Sequence, residues 1–155
     1  MDKYIRSLDE QFANLHRLSC DLINQLAPAQ LYLELPAEAD SCGEQVLRSA
    51  AIVERAFGGI TANLWDDPFE WTLPETLKTP ANVIEYLAEV EATRRIAFQL
   101  FKDDADLSKE IMAPSGTTPI LPFLLDTLQQ ARHHQQRAIA VFDRFRHPGR
   151  ATADH

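Results

Sequence analysis

The chain has 155 residues, of which 45% are hydrophobic, and its formal net charge is −8, from 23 acidic and 15 basic residues. This length and hydrophobic content are typical of one compact domain, and the acidic balance excludes nucleic acid and anionic membrane surfaces as expected partners. The sequence has no apolar run of membrane-spanning length and no secretory pattern at its start. Two cysteines are too few for a disulfide framework. We therefore expect a soluble cytoplasmic domain.

The first two predicted helices occupy residues 4–26 and 41–57. Apolar residues recur at steps of three and four in the first of them, and Pro28 follows its end. Ser41 and Glu44 have the spacing of a capping box at the start of the second helix. The pair Gly58-Gly59 predicts its end. The residues expected to face inward on the second helix are Val46, Ala50, Val53 and Phe57.

The third and fourth predicted helices begin with the same signal. Thr79-Pro80 and Thr118-Pro119 each place a capping hydroxyl before a proline at the first helical position. The third helix is predicted to end near residue 103 and the fourth near residue 145. No alternating strand pattern of any length occurs. The sequence therefore predicts an all-α, antiparallel four-helix bundle over residues 1–146, followed by a flexible tail at 147–155.

The connection between the second and third helices is long and contains aromatic residues. Residues 60–78 carry Trp65, Phe69 and Trp71 among acidic residues and prolines, and we expect this segment to pack over one end of the bundle. Such a loop can cover a site, although sealing the core is the interpretation that we favour. The same side chains could instead supply an apolar patch for a homodimer.

The fourth helix carries polar side chains in the middle of its apolar stripe. Gln135 lies within the stripe, and at about 100° per residue His134 lies at its edge whereas His133 points to solvent. Gln130 lies one turn before His134 and within its reach. These side chains form either a hydrogen-bonded core network or the floor of a site. For Gln135 we favour a buried amide that bonds to another helix.

The third helix carries a charged pair on its inward face. Glu91 and Arg94 are three residues apart, a spacing that allows them to contact each other. Arg94 could bind an anion while Glu91 orients it, or the pair could form a structural salt bridge between helices. We favour the structural interpretation because ion pairs often resemble sites in this respect.

Two further residues have chemistry of their own. Cys42 lies in the first turn of the second helix, where the helix dipole can lower the pKa of a thiol. His16 lies at the border of the apolar stripe of the first helix, and we expect it to be partly exposed. The sequence contains no serine-centred triad motif and no glycine-rich phosphate loop.

Four helices in this order, a long second connection and paired histidines in the last helix resemble the DinB/YfiT-like family of metal-binding helical bundles. The resemblance covers about residues 8–145, and its most specific parts are residues 46–55 and 130–135. In that family, one histidine from the first segment and two histidines four residues apart in the second hold a divalent metal, often nickel, zinc or iron. The resemblance therefore implies the fold and the place of a pocket.

This chain has different residues at most of those ligand positions. Alignment on residues 53–55 places the first ligand at Ser49, whereas alignment on the helix cap places it at Arg48. Helical geometry favours Ser49, because Arg48 faces outward, where it can pair with Glu44. The other two positions are Gln130 and His134. One imidazole with an amide and a hydroxyl is a poor donor set for zinc or nickel, so we expect a degenerate metal site.

Three functional hypotheses follow. In the first, the protein binds a small organic anion without a cofactor, in a pocket whose candidate residues are Ser49, Gln130, His134, Glu91 and Arg94. In the second, it is a metal-dependent enzyme, a thiol-dependent transferase or isomerase or a hydrolase, in which His134 and a donor such as Glu54 or His16 hold the ion. The third is a purely structural homodimer. Metal content separates the first two hypotheses.

Overall fold

The computed structural model describes residues 1–38, 40–71 and 73–147. The chain is mostly helical, as the sequence predicts, but it also contains a small antiparallel sheet of two strands. In chain order the elements are α1 (Lys3–Asn24), α2 (Cys42–Ala62), α3 (Leu73–Thr76), α4 (Pro80–Gln99), β1 (Glu110–Ala113), β2 (Gly116–Pro119) and α5 (Ile120–Arg146). Short 3-10 helices lie at Pro28–Gln30, Pro68–Trp71 and Asp104–Ser108. Apart from its first residue, the tail predicted at 147–155 lies outside the described residues.

Two of the predicted helix caps are present. The Ser41 hydroxyl accepts a hydrogen bond from the Glu44 backbone N–H at 3.1 Å and donates to the Glu44 carboxylate at 3.0 Å. At the start of α4, the Thr79 hydroxyl accepts from the Asn82 backbone N–H at 3.1 Å, and Pro80 is the first helical residue. Each cap satisfies a backbone N–H that has no partner within its helix.

The predicted end of α2 is wrong. The helix continues past the glycine pair to Ala62 and closes at Asn63, which has a left-handed φ of 56°. Gly59 is required for space instead, because a Cβ on it would lie 2.2 Å from a ring carbon of Trp65. The glycine therefore lets the Trp65 ring lie directly on the backbone of α2.

The predicted start of the fourth helix and the predicted absence of strands are also wrong. Thr118 and Pro119 belong to β2, and α5 begins at Ile120 without a side-chain cap. The hairpin pairs Glu110 with Pro119, and its turn includes Gly116 at a φ of 125°. Strands of four residues are too short to show the alternation by which a strand is recognised in a sequence.

Hydrogen bonds between the long helices give their relative directions. Between α2 and α5, Gln45 bonds to His134 and Ser49 bonds to the carbonyl of Ala131. The partner numbers fall along α5 as they rise along α2, so these two helices are antiparallel.

The helix α1 is parallel to α5 and antiparallel to α4. For α5, the pairs that show this are Gln11 with Arg132 and Ser19 with Gln135. For α4, Asp9 bonds to Arg94, while Ile5, one turn earlier on α1, bonds to Asp104 in the 3-10 helix that follows α4. It follows that α2 and α4 run in the same direction, as α1 and α5 do, so the prediction that the bundle is antiparallel throughout is wrong. A connection over residues 63–79 can make that return, because α2 is about 31 Å long and seventeen extended residues span up to about 56 Å.

One apolar core lies between the four long helices. Phe12, Phe57 and Phe98, from α1, α2 and α4, pack with ring centroids 5.3–5.9 Å apart. The connection after α2 packs against this body, because the Trp65 ring meets Phe123 edge to face at 5.5 Å. The side chain of Trp71 lies outside the described part of the chain. None of the described helices is long and apolar enough to cross a membrane.

Candidate functional site

The residues predicted to form one pocket lie in two separate places. Ser49, Gln130 and His134 lie along the contact between α2 and α5, whereas Glu91 and Arg94 lie on α4 facing α1. The two places approach each other at a small cavity of about 30 Å³, which both Ser49 and Glu91 line.

His134 is half-buried and is held by a neighbour that the sequence did not indicate. Its Nδ1 lies 2.7 Å from Oε1 of Gln45, and the amide nitrogen of Gln45 donates to Asp40 at 3.3 Å. Because the Gln45 oxygen accepts, Nδ1 of His134 carries the hydrogen and Nε2 keeps its lone pair. Burial lowers the pKa of His134, and nearby His133 and Arg48 lower it further. The imidazole is therefore neutral at physiological pH.

Arg48 points outward as expected, but its predicted pairing with Glu44 is wrong. Its Nε donates to Asp40 at 2.9 Å, and its guanidinium lies 4.0 Å from the ring centroid of Phe69. Glu44 instead bonds to the capping serine of its own helix. Asp40 precedes α2, so the geometry of the loop, which helical spacing does not describe, supplies this partner.

Ser49 is buried between α2 and α5. Its hydroxyl donates to the carbonyl oxygen of Ala131 at 2.8 Å, and the side chain is 1% exposed. Of the two residues that alternative alignments propose for the first ligand position, Ser49 is the one that faces α5. Its oxygen is nevertheless already used to join the two helices.

Gln130 lies one turn from His134 and borders the same shallow depression, but its hydrogen bond goes to another residue. It is exposed, and its amide nitrogen donates to Asp126 at 2.8 Å, one turn earlier on the same helix. A carboxylate is a stronger acceptor than a neutral imidazole, and His134 is already bonded to Gln45 on the other side.

These side chains do not fit a divalent metal. Zinc and nickel take three or four nitrogen, sulfur or carboxylate donors, and His134 is the single imidazole among the three aligned positions. In the described ranges 1–38, 40–71 and 73–147, no three His, Cys, Asp or Glu side chains converge in a group that could hold a metal ion. We therefore derive no chemical step through a metal.

A groove of about 200 Å³ lies next to these residues, between α2, α5 and the turn of the hairpin. Trp65 and Phe123 form apolar walls, and Trp65 is held by a 2.9 Å hydrogen bond from its indole nitrogen to Asn63. The polar lining residues are Arg55, Ser115, Asp126, Thr127 and Gln130. Asp126 and Gln130 also border a shallow depression that contains His133 and His134. The groove and the surroundings of His134 thus share one edge.

Arg55 is the cation of this groove. Its Nε donates to the backbone carbonyl of Trp65 at 2.7 Å, which fixes the side chain against the connection. In the part of the chain that the structure describes, its terminal nitrogens have no hydrogen bond or ion pair. No sequence pattern indicates Arg55 as a binding residue, because the groove forms where the connection folds back over α2.

The charged pair on α4 is a structural cluster. Arg94 is 1% exposed; it donates to both Glu91 oxygens, at 3.0 and 2.5 Å, and to Asp9 at 2.5 Å. Burial lowers the pKa of Arg94, but the hydrogen bonds and charges of its two partners outweigh that and hold it above its ordinary value. The predicted Glu91–Arg94 contact is confirmed. Because each guanidinium nitrogen already has a partner, the anion-binding interpretation of Arg94 is unsupported.

The remaining candidates do not form a nucleophilic site. Burial raises the pKa of Cys42 to about 12, which contradicts the expectation that the helix dipole lowers it. His16 is partly buried as expected, lines the small cavity, and has its pKa lowered chiefly by burial. The Sγ atom of Cys20 lies 3.6 Å from Nε2 of His16, and burial also raises the pKa of the Cys20 thiol.

Gln135 bonds to the neighbouring helix as predicted. Its amide nitrogen donates to the Leu15 carbonyl at 2.7 Å and to the Ser19 hydroxyl at 2.9 Å. The polar residue in the stripe of α5 therefore joins two helices.

No known family model and no curated protein matches this chain.

Proposed function

We propose that this protein is a DinB/YfiT-like four-helix bundle with a degenerate metal site, and that it binds a small organic anion in the groove between α2 and α5. The observation that carries the proposal is the pairing of apolar walls with an available cation. Trp65 and Phe123 offer surface for an apolar group, and Arg55 offers its terminal nitrogens to a carboxylate.

The surroundings of His134 support the idea of a site that has lost its metal. A metal-binding histidine generally donates its other ring nitrogen to an acceptor that fixes the ring. His134 has that arrangement with Gln45, and among the described residues no hydrogen bond engages its Nε2. The expected companions at Ser49 and Gln130 supply a hydroxyl and an amide that bond elsewhere. This arrangement favours the binding function over the metal-dependent enzyme.

Trp65 provides the assay. The chain has two tryptophans, so Trp71→Phe leaves Trp65 as the single indole, and its fluorescence reports a ligand in the groove. The probe is 3-phenylpropanoate, which has one ring and one carboxylate. We expect a change in Trp65 emission with a dissociation constant on the order of 1 mM, as suits a fragment-sized ligand. Amide shifts of the unmodified protein provide a second measurement.

Two controls identify the contacts. Arg55→Gln should weaken binding about tenfold by removing a charge-assisted hydrogen bond, while Arg95→Gln, an equal change of charge at an exposed position on α4, should have no effect. The neutral analogue 3-phenylpropanamide should bind as weakly to the wild type as the acid binds to Arg55→Gln. Equal effects of the two arginine changes, or shifts confined to other surfaces, would reject the proposal.

A further inference from the structure

The groove carries two opposite charges that do not pair with each other. Arg55 on α2 and Asp126 on α5 both line it. Among the ion pairs of the described residues, none joins these two side chains, although they face the same space. Each is held by a neutral partner instead: Arg55 by the carbonyl of Trp65 at 2.7 Å, and Asp126 by the amide of Gln130 at 2.8 Å.

This arrangement leaves hydrogen-bonding capacity on both charges. A guanidinium has five N–H donors and a carboxylate about four lone-pair positions, and the two neutral partners use one of each. Arg55 belongs to α2 and Asp126 to α5, and both side chains line the groove of about 200 Å³. A ligand with an anionic and a cationic group could bond to the Arg55 guanidinium and to the Asp126 carboxylate at once.

A simple anion can bond to only one of these two charged side chains. Its carboxylate would bond to Arg55, but the negative charge of Asp126 would oppose its approach, and like-charge contacts of this kind select against a partner. The rings of Trp65 and Phe123 add a requirement for an apolar group.

We infer that the ligand of this groove is a small zwitterion with an apolar side group, such as an α-amino acid. The inference rests on the proposed function, because it keeps the same groove and the same carboxylate contact to Arg55 and adds an ammonium group that Asp126 binds. Arg55 binds the carboxylate, Asp126 binds the ammonium group, and the side group lies between Trp65 and Phe123.

Three probes that share one ring separate the two charges. They are L-phenylalanine, 3-phenylpropanoate, which lacks the ammonium group, and 2-phenylethylamine, which lacks the carboxylate. Amide shifts on titration give each dissociation constant. We expect L-phenylalanine to bind about tenfold more tightly than either single-charge analogue. Glycine, which has no side group, should produce no shifts at the groove.

The variant Asp126→Asn tests the acidic wall. An asparagine oxygen can still accept from Gln130, so the local hydrogen bond is kept while the charge is removed. In this variant the preference for L-phenylalanine over 3-phenylpropanoate should fall to about one. The matched control is Asp143→Asn, an exposed aspartate near the other end of α5, which should keep the full preference.

The outcomes separate this inference from the proposed function. If 3-phenylpropanoate binds in the groove and L-phenylalanine binds no more tightly, or if the preference survives in Asp126→Asn, the zwitterion is rejected and anion binding stands. If none of the three probes shifts the groove residues, both proposals fail.

Discussion

The buried arginine on α4 gives the sharpest test of how this fold is held together. Arg94 is 1% exposed and bonds to Glu91 and Asp9, whose side chains are 14% and 33% exposed. Replacing it with alanine removes the cation that pairs with both carboxylates, and it also removes the guanidinium that lies 5.1 Å from the ring centroid of Phe98. Breaking a buried pair in this way costs about 3–5 kcal/mol. Because Asp9 is near the surface and can be rehydrated, we expect a loss of about 3 kcal/mol in the free energy of unfolding.

That loss is large enough to measure in two ways. Urea denaturation followed by far-UV circular dichroism gives the free energy of unfolding, with the same dependence on denaturant in wild type and variant. For 155 residues an unfolding entropy of about 2.1 cal/mol/K per residue converts 3 kcal/mol into a fall of about 9 °C in Tm.

Two controls isolate the charge. The double variant Arg94→Met with Glu91→Leu removes the pair together and fills the space, so it should cost about 1 kcal/mol, much less than Arg94→Ala alone. Arg95→Ala, at the adjacent exposed position, should change stability by less than about 0.5 kcal/mol. A loss below about 1 kcal/mol for Arg94→Ala, or a double variant as unstable as the single one, would refute this account of the cluster.

Three further predictions concern metal, pH and thiol reactivity. Protein purified without a histidine tag should carry less than one transition metal per chain, and a chelator should leave its Tm unchanged; one metal per chain, with a lower Tm on chelation, would contradict this. Burial holds the pKa of His134 and of His16 below the ordinary value of 6.5 in the folded state, so the unfolded chain binds more protons and stability falls as pH drops below about 6.5. Urea melts across pH should show a smaller fall in His134→Gln and His16→Gln, and an unchanged fall in both would contradict the assignment. A thiol reagent should modify Cys20 before Cys42, whose modification should need unfolding; faster reaction at Cys42 would show that the start of α2 opens.

Local sequence signals predicted the features that depend on one helix. The apolar stripes gave the four long helices, and Ser41 and Thr79 gave the starts of two of them. The spacing of Glu91 and Arg94 gave their contact. Each of these follows from the 3.6-residue repeat or from a backbone N–H that lacks a partner, and both are properties of a few adjacent residues.

The predictions that failed depended on groups from elsewhere in the chain. Gly58-Gly59 signals a helix end in isolation, yet the second glycine makes room for Trp65, which only the folded connection brings there. The thiol of Cys42 was expected to respond to the dipole of its own helix, but burial by the rest of the protein decides its pKa. The strands β1 and β2 have four residues each, which is too few to show an alternation of apolar and polar residues in the sequence.

The sequence by itself determined the helical class of the protein, the inward side of each long helix, and the net negative charge. The tertiary structure decided which polar groups meet. Gln45 contacts His134, which is 89 positions away in the sequence, and Asp9 contacts Arg94, which is 85 positions away. The groove likewise joins side chains of α2, the connection, the hairpin turn and α5. Helical periodicity places a residue on a face of its own helix, but it contains no information about the neighbouring helix that this face meets.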